Sequence, residues 1–488
     1  MNGPVSVEQL GAELSQSLRR DQILVERAEL RTYECDGLTG HRATPLIAVL
    51  PETTAEVQAA VQVCASHHLR FVARGSGTGL SGGALPDAEG MLIVLTRMRR
   101  IVEIDPANQR MVVEPGVTNL EISKAAAPHG LYYAPDPSSQ VVCSIGGNVA
   151  ENAGGAHCLK YGFTTHHVLG LEVVLPDASV VCLGSPMVES PGYDLRGVFI
   201  GTEGTLGIAT SVTVRLLRLP ETVATLVAEF ATTADAGTAV SAIIAAGIVP
   251  AAVEMLDHLA IQACEAAVGA GFSLEAGAVL VVEVDGPSEE CSGTFAAATA
   301  ACTASGALRV RVAADADERR LIWQGRKAAF AAMGRLSPAF LIQDGVIPRT
   351  RLGPVLTRIA ELAAEAGLHV ANVFHAGDGN LHPLILYDTA RAGEDERAEL
   401  LATRIIQLCV DAGGSITGEH GVGVDKACSM PAMFSEDDLA AMLRVRTAFD
   451  PEGRCNPGKV FPTPRLCGER PGPYRPHPLE EAGMIDRW

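Results

Sequence analysis

The stretch Arg74-Gly-Ser-Gly-Thr-Gly-Leu-Ser-Gly-Gly83 lies between two apolar runs, Phe71-Val-Ala73 and Met91-Leu-Ile-Val-Leu95. Its centre matches the pattern GxGxxG of Rossmann-type dinucleotide sites, which requires a helix that begins at the third glycine. Pro86 and Asp87 follow almost at once and leave no room for that helix. The stretch therefore predicts a strand–loop–strand segment whose backbone N–H groups form a nest for a pyrophosphate. A plain glycine turn is the alternative.

Further stretches of the chain are rich in glycine, proline and small polar residues. The run Ser144-Ile-Gly-Gly-Asn-Val-Ala-Glu-Asn-Ala-Gly-Gly155 follows Pro135-Asp-Pro-Ser-Ser139. Later in the chain come Lys160-Tyr-Gly-Phe-Thr-Thr165, Gly201-Thr-Glu-Gly-Thr-Leu-Gly-Ile208 and Asn456-Pro-Gly-Lys459. Their small side chains would allow the backbone to approach a large planar ligand closely.

In this order, the stretches resemble the FAD-binding fold of flavoenzymes of the vanillyl-alcohol-oxidase (PCMH) type. The resemblance covers nearly the whole chain and is greatest to the family of the FAD-linked glycolate oxidase subunit and the flavin D-lactate and D-2-hydroxyglutarate dehydrogenases. It implies an α+β fold, with a PCMH-type FAD-binding domain and an α+β, ferredoxin-like substrate cap. The first loop contains no histidine, so the resemblance implies non-covalent FAD. The positions that match the family's flavin contacts are Arg74, Gly75, Ser76, Gly77, Thr78, Gly79, Leu80, Ser81, Pro135, Ser138, Gly146, Gly147, Asn148, Asn152, Gly162, Glu203, Ile208 and Asn456.

Composition restricts the partners of the chain. Its 488 residues include 38 basic and 57 acidic ones, for a net charge of −19, and no lysine and arginine cluster suited to a phosphate backbone. Nucleic acid is therefore not expected as a partner. The 12 cysteines form no CxxC pair, which argues against an iron–sulfur cluster carried by this chain and favours buried free thiols.

The chain begins without the apolar core of a signal peptide, and no uncharged run is long enough to cross a bilayer. We expect a cytoplasmic protein, with any attachment to the inner face of the membrane made peripherally through a partner. The length predicts more than one packed unit. We predict an FAD-binding domain over residues 1–220 with a core at about 42–220, a substrate cap with the metal site over 221–430, and a C-terminal segment, 431–488, that returns to the FAD domain. The tail from Arg465 is expected to wrap the surface.

Local patterns predict several elements. Thr53 opens a helix that runs to about His68. The second half should contain helices over about 233–246, 255–267, 315–333 and 394–411, a strand over 279–284 and a hairpin over 369–387.

Two histidines flank a turn sequence, His375-Ala-Gly-Asp-Gly-Asn-Leu-His382, between the apolar runs Val370 to Phe374 and Leu384 to Tyr387. The Gly-Asp-Gly-Asn centre favours a chain reversal that would place the two imidazoles opposite each other. Glu419, in Thr417-Gly-Glu-His-Gly-Val-Gly423, can supply a third ligand. Two imidazoles and a carboxylate suit a divalent ion such as zinc or manganese. Two purely structural histidines are the alternative.

His420 cannot easily share an ion with Glu419 because successive side chains diverge, so it is available as a base. In the resembled family, the histidine at this position takes the hydroxyl proton while the Cα hydrogen passes as hydride to flavin N5. Arg326 matches the family arginine that binds the substrate carboxylate, a task that suits a planar guanidinium. A solvated arginine is the alternative.

The resemblance implies FAD-dependent oxidation of a small 2-hydroxy acid to the 2-oxo acid. Gln343 stands where enzymes for larger diacids carry a lysine, and Leu384 stands where some carry a polar side chain, so glycolate or D-lactate is favoured over D-2-hydroxyglutarate. The resembled glycolate oxidase has separate flavin and iron–sulfur subunits, and electrons would pass to such a partner, a quinone or a soluble acceptor. The alternatives are a flavin oxidase that uses oxygen directly and a catalytically silent metal-binding or assembly subunit.

Overall fold

The structure is a computed structural model of the chain, and it describes residues 5–187 and 191–462. The chain divides into two compact units. The first unit comprises Met1–Ala153, Phe163–Arg218 and His420–Trp488, and the second comprises Gly154–Gly162 and Leu219–Glu419. The tail from Arg465, which we predicted to wrap the surface, lies outside the described residues.

Strands and helices alternate along both units. The strands are β1 Ile23–Leu24, β2 Ile47–Val49, β3 Phe71–Arg74, β4 Met91–Val94, β5 Ile101–Asp105, β6 Arg110–Val113, β7 Leu131–Tyr132, β8 Val168–Val174, β9 Val180–Gly184, β10 Ile208–Arg215, β11 Leu217–Arg218, β12 Thr222–Phe230, β13 Ala252–Asp257, β14 Ala278–Gly286, β15 Arg309–Val312, β16 Ala339–Ile342, β17 His369–His375 and β18 Pro383–Tyr387. The α-helices are α1 Val7–Leu14, α2 Arg27–Leu30, α3 Thr54–Ser66, α4 Asn119–Ala126, α5 Ile145–Glu151, α6 Cys158–Tyr161, α7 Leu195–Phe199, α8 Thr233–Ala245, α9 His258–Ala267, α10 Ser288–Ala304, α11 Ala316–Ala332, α12 Leu352–Ala366, α13 Glu394–Asp411, α14 Met430–Met433 and α15 Glu436–Phe449.

The first unit contains a four-stranded sheet in the order β1-β2-β4-β3, in which β4 is parallel to both β2 and β3. Helix α3 connects β2 to β3, and its cap is the predicted one: the Thr53 hydroxyl accepts the Glu56 N–H at 3.2 Å. From β3 to β4 the described chain runs through a loop without a helix, as the positions of Pro86 and Asp87 predicted. The glycine-rich stretch thus lies at the carboxyl end of a parallel strand.

A second, antiparallel sheet of the first unit has the order β5-β6-β10-β8-β9. Helix α5 is a finding that the glycine content of its sequence did not predict. It ends at Glu151, and its C-cap residue Asn152 adopts φ 51°. This left-handed conformation is one that asparagine tolerates better than most residues.

The second unit is built on a seven-stranded sheet in the order β15-β12-β14-β13-β17-β18-β16, in which every pairing is antiparallel. Apolar side chains on one face pack with α8, α10, α12 and α13. Those on the other face pack with α9 and α11. The central strands are therefore covered on both faces, and a charged side chain there must find its partner inside the protein.

One predicted helix begins later than expected. We predicted a helix over 255–267, whereas α9 starts at His258 and the preceding residues form β13. Asp257 explains the change of element, because its carboxylate caps α9 by accepting the Ala260 N–H at 3.0 Å.

The division into units differs from the predicted boundaries in two places. The chain rejoins the first unit at His420 rather than at 431, and Gly154–Gly162 belongs to the second unit. Hydrogen bonds explain the second difference: Lys160 and Tyr161 both donate to the carboxylate of Asp285, on β14. This short segment is therefore hydrogen-bonded to the sheet of the second unit.

Ten of the described cysteines are free thiols, eight of them buried, as predicted, whereas Cys428 is disulfide-bonded and departs from the predicted free thiols. Among the described residues, none of the helices combines the length and the apolar character that a membrane span requires.

Candidate flavin cradle and metal centre

The loop after β3 presents a row of backbone donors. Among the described residues, no acceptor is found for the N–H groups of residues 77–83, whereas Ser76 donates to the Ser144 hydroxyl at 3.2 Å and Ala84 to the Asp36 carboxylate at 3.3 Å. The buried Ser81 hydroxyl also makes no hydrogen bond there. Such a set of donors fits the oxygens of a pyrophosphate.

Two glycines of this loop have no room for a side chain. A Cβ on Gly75 would lie 2.3 Å from the Ser144 hydroxyl oxygen. Gly77 adopts φ +70°, and a Cβ there would lie 2.1 Å from a guanidinium nitrogen of Arg74, whose side chain folds back over the loop. The loop is thus packed against the start of α5, as expected if both line one cofactor.

Two further predicted flavin stretches, residues 201–208 and 456–459, meet at the same place. The Asn456 amide donates to the carbonyls of Gly83 (2.9 Å) and Glu203 (2.5 Å), and the Glu203 N–H donates to the Ala150 carbonyl at 2.8 Å. The structure therefore joins residues 74–83, 144–152, 201–208 and 456–459. Gly162 lies on the segment Gly154–Gly162, which belongs to the second unit.

Glu203 is buried, and its carboxylate is already engaged. Its two oxygens accept the N–H groups of Val422 at 2.6 Å and Gly423 at 2.7 Å. This carboxylate therefore fixes the turn that follows His420, a contact that sequence spacing did not reveal. Burial raises the pKa of Glu203, while the two backbone hydrogen bonds act in the opposite direction.

In the second unit, three predicted metal ligands lie together. Glu419 Oε1 is 3.1 Å from His375 Nε2 and 3.3 Å from His382 Nε2. The two imidazole rings are nearly perpendicular, with centroids 5.0 Å apart. Because ligand atoms about 2.1 Å from one zinc ion lie roughly 3.0–3.5 Å from each other, this spacing fits a shared ion.

The two histidine ligands are brought together by the hairpin that β17 and β18 form. His375 ends β17, and His382 lies just before β18, so the predicted hairpin places both at its neck. Within the turn, Asn380 donates its N–H to Asp378 Oδ1 at 3.1 Å, and Gly379 adopts φ +85°. A Cβ on Gly379 would lie 2.1 Å from the Ile347 carbonyl oxygen, so the turn requires glycine here.

Asp344 holds the third ligand in place. Its carboxylate accepts the hydroxyl of Thr417 at 2.5 Å and the N–H groups of Gly418 at 3.0 Å and Glu419 at 3.2 Å. It is fully buried. The sequence did not predict this role of Asp344 in positioning Glu419, since the two residues are far apart along the chain.

The buried charges of this cluster shift each other's pKa. Burial lowers the pKa of His375, but the charges of Glu254 and Glu419 outweigh it and hold that pKa well above the usual value. The pKa of His382 is also raised, because hydrogen bonds to Asp344 and Glu419 overcome burial. Burial raises the pKa of Glu419, but the charge of His375 and hydrogen bonds from both histidines hold it far below its ordinary value. A dication would replace the protons that balance this carboxylate.

Arg326 lies inside the second unit, on α11, and not on its surface. Its side chain is 2% exposed, and its Nη2 lies 2.5 Å from Oε2 of Glu254. Neither its Nε nor its Nη2 makes a hydrogen bond among the described residues, so the contact with Glu254 is an ion pair. A solvated arginine is thereby excluded, and a buried donor of this kind fits an anionic ligand.

Comparison with known proteins identifies the family of the chain. Residues 219–460 match the family model described as FAD linked oxidases, C-terminal domain, and residues 45–184 match the model of an FAD binding domain. The chain is 50% identical over 448 residues to the glycolate oxidase subunit GlcD of Escherichia coli strain K12, covering 92% of this chain and 90% of the relative. The chain belongs to the FAD-linked oxidase family. It is thus an FAD-linked oxidase or dehydrogenase, as predicted.

Other members of the FAD-linked oxidase family are also similar. The glycolate oxidase subunit GlcD of Bacillus subtilis strain 168 is 37% identical over 88% of this chain and 92% of the relative. A D-lactate dehydrogenase of Anaerostipes hadrus is 32% identical over 86% of this chain and 90% of the relative.

Solved structures confirm the fold of this FAD-linked oxidase. The 4-ethylphenol oxidase of Gulosibacter chungangensis superposes with a TM-score of 0.79 at 19% identity, covering 94% of this chain and 98% of that chain. A p-cresol methylhydroxylase superposes with a TM-score of 0.78 at 17% identity, covering 93% and 96%. The predicted vanillyl-alcohol-oxidase (PCMH) type of fold is confirmed.

Proposed function

We propose that this FAD-linked oxidase oxidises a small 2-hydroxy acid, glycolate or D-lactate, to the 2-oxo acid. The observation that carries the proposal is the buried network of the second unit, in which His375, His382 and Glu419 converge and Glu254 links His375 to Arg326. Within this network, the two histidines and Glu419 could bind a divalent metal ion, and the buried guanidinium of Arg326 could bind the substrate carboxylate.

FAD, when bound, would supply the acceptor for the hydride that leaves the substrate Cα. The open N–H groups of residues 77–83 and the Ser81 hydroxyl fit its pyrophosphate, and no histidine of that loop is present to tether it. Gly75, Gly77 and Gly146 allow the backbone to pass closely around the site, because a Cβ at any of them would meet a neighbour within 2.7 Å. The remaining proposed contacts are Arg74, Ser76, Thr78, Gly79, Leu80, Pro135, Ser138, Gly147, Asn148, Asn152, Gly162, Glu203, Ile208 and Asn456.

A divalent metal, zinc or manganese, would be held by His375, His382 and Glu419. Two imidazole nitrogens and a carboxylate oxygen are the donor set of many catalytic zinc sites with an open position. When bound, the ion would lower the pKa of the substrate hydroxyl.

Arg326 and His420 would act on the substrate directly. The guanidinium of Arg326 pairs with the substrate carboxylate and thereby fixes the orientation of Cα. His420 takes the hydroxyl proton as the Cα hydrogen leaves with its electron pair, so that the C–O bond becomes a carbonyl. The two hydrogens lost by the alcohol are thus one proton and one hydride.

The size of the substrate is proposed from two side chains. Gln343 is uncharged, and Leu384 is a fully buried apolar residue of β18, so neither offers a cation to a second carboxylate. Relatives named glycolate oxidase subunit and D-lactate dehydrogenase support a small monocarboxylate. D-2-hydroxyglutarate is the alternative.

We further propose that electrons leave the flavin through a partner. The relatives called GlcD are named as subunits of glycolate oxidase, which supports an assembly with further subunits. That these are a second flavin subunit and an iron–sulfur subunit is part of the proposal. Peripheral attachment to the inner face of the membrane would follow from such a partner.

Steady-state assays with an artificial electron-accepting dye test the substrate. Glycolate, D-lactate and D-2-hydroxyglutarate are compared at equal concentration, with Arg326→Lys as the variant. We expect turnover with glycolate or D-lactate and a raised KM in the variant. Turnover confined to D-2-hydroxyglutarate would overturn the proposed substrate class.

A further inference from the structure

Glu254 occupies an unusual position for a carboxylate. It lies in the middle of β13, it is fully buried, and apolar residues precede and follow it in the strand. In the antiparallel pairing of β13 with β17, it stands directly opposite His375. The register therefore puts the two side chains on the same face of the sheet, the face covered by α9 and α11.

The two oxygens of Glu254 have different partners. Oε1 lies 2.7 Å from Nδ1 of His375, and Oε2 lies 2.5 Å from Nη2 of Arg326. One carboxylate on β13 thus connects a residue of β17 to a residue of α11. The positive charge of Arg326 balances its own charge, which a buried carboxylate requires.

We propose that Glu254 is a positioning residue that couples the metal centre to the arginine of the substrate site. The contact with Nδ1 keeps the proton on that nitrogen and leaves Nε2, which is turned to Glu419, to bind the metal. The contact with Nη2 fixes the guanidinium while its Nε remains available to an anion. The proposal deepens the proposed function and rests on it for the roles of His375 and Arg326.

Another buried carboxylate provides a matched control. Glu283 lies on β14, next to β13, and binds the same helix α11: it accepts the Trp323 indole N–H at 2.6 Å and two hydrogen bonds from Arg319. Among the described residues, its hydrogen bonds and ion pairs involve His157, Thr225, Arg319 and Trp323 and none of the proposed metal ligands. Glu283→Gln therefore weakens the attachment of α11 without removing a partner of a metal ligand.

The experiment measures zinc affinity of the full-length flavoprotein by competition with a chromophoric chelator, in the absence of substrate. We expect Glu254→Gln to weaken zinc binding by about 10–100-fold, and Glu283→Gln to leave it within about twofold of the wild type. Dye-linked kinetics should show a raised KM in Glu254→Gln, since Arg326 loses its anionic partner. Circular dichroism verifies that each variant is folded, and Glu254→Asp, which is too short to reach Nδ1, replaces a Gln variant that does not fold.

Unchanged zinc affinity in the folded Glu254 variant would overturn the inference and leave the proposed function intact. An equal loss in both Gln variants would also overturn it, because the effect would then reflect general loosening of α11. If the wild type binds zinc but reduces its flavin with none of the 2-hydroxy acids, the proposed function fails, while weaker zinc binding in Glu254→Gln still supports the contact with His375.

Discussion

Gly418 immediately precedes the proposed ligand Glu419, and its backbone passes close to the metal hairpin. A Cβ on Gly418 would lie 2.4 Å from Nδ2 of Asn380 and 2.8 Å from a methyl carbon of Val346. Gly418→Ala should therefore displace the turn that Asp344 holds, destabilise the protein by about 1–3 kcal/mol and weaken zinc binding. Denaturant unfolding and chelator competition measure the two effects.

Gly293 supplies the control for that substitution. It lies within α10, and a Cβ there would meet nothing within 4 Å. Gly293→Ala should stabilise the protein by up to about 1 kcal/mol, because alanine favours a helix, and leave zinc affinity unchanged. If Gly418→Ala behaved like Gly293→Ala, the close packing described for the 417–419 turn would be wrong.

His420 is the residue proposed to take the hydroxyl proton. His420→Ala should slow anaerobic flavin reduction by roughly 10²–10⁴-fold, the usual contribution of a general base. FAD content and zinc affinity should stay near those of the wild type, because the proposed metal ligands are retained. Stopped-flow absorbance measures the rate, and reduction at the wild-type rate would remove His420 from the mechanism.

Single residues also show what the sequence could predict. The proximity of His375 and His382 followed from a turn sequence between two apolar runs, because a local hairpin brings its own ends together. The roles of Glu254 and Asp344, and the contact of the Glu203 carboxylate with the turn after His420, were not predicted, since each joins residues far apart along the chain. An acidic residue within the apolar part of β13, residues 252–256, was the available signal for Glu254.

At the scale of elements, Glu283 joins α11 and the segment before α6 to β14. His157 Nε2 lies 3.3 Å from this carboxylate, and Arg319 and Trp323 donate to it. Burial raises the pKa of Glu283, but hydrogen bonds from His157 and Arg319 and the charge of Arg319 hold it far below the ordinary value of 4.5. A carboxylate with a depressed folded-state pKa stabilises the fold above its unfolded pKa, and that contribution is lost as the pH falls.

The lowered pKa of Glu283 determines how the effect of Glu283→Gln on stability should depend on pH. We expect the substitution to destabilise the protein by roughly 2–3 kcal/mol at pH 7, because Arg319 and His157 would lose their anionic partner. The difference from the wild type should shrink by about 1 kcal/mol at pH 4, where the unfolded glutamate is protonated. Urea unfolding at both pH values tests this, and a difference that grows on acidification would contradict the assigned shift.

Several elements followed from local signals and others did not. Helix α3 began where the Thr53 cap predicted, and α13 ended before Gly413-Gly414 as expected. The helix predicted over 255–267 was too long at its start, because the local pattern of residues 255–257 fits either element. Pairing of β13 with β14 and β17 decides between them.

At the scale of the whole molecule, motif order along the chain predicted the family and the fold. Local periodicity could not predict the return of the chain to the first unit at His420 or the membership of Gly154–Gly162 in the second, because long-range hydrogen bonds determine both.

The proposed electron partner gives a prediction at this scale. Flavin reduced anaerobically by glycolate or D-lactate should regain its colour faster with an artificial dye than with air, as expected for a dehydrogenase that delivers electrons to a partner. Absorbance of the oxidised flavin follows both reactions. Rapid reoxidation by air alone would favour the direct oxidase instead.

The most direct test of the proposed function is a single-turnover measurement. The purified flavoprotein is mixed anaerobically with glycolate or D-lactate, before and after removal of bound metal by a chelator, and the oxidised-flavin absorbance is recorded. We predict bleaching by one of these acids, its loss after chelation and its recovery with added zinc or manganese. A flavin that stays oxidised with both acids in the metal-loaded protein would contradict the account.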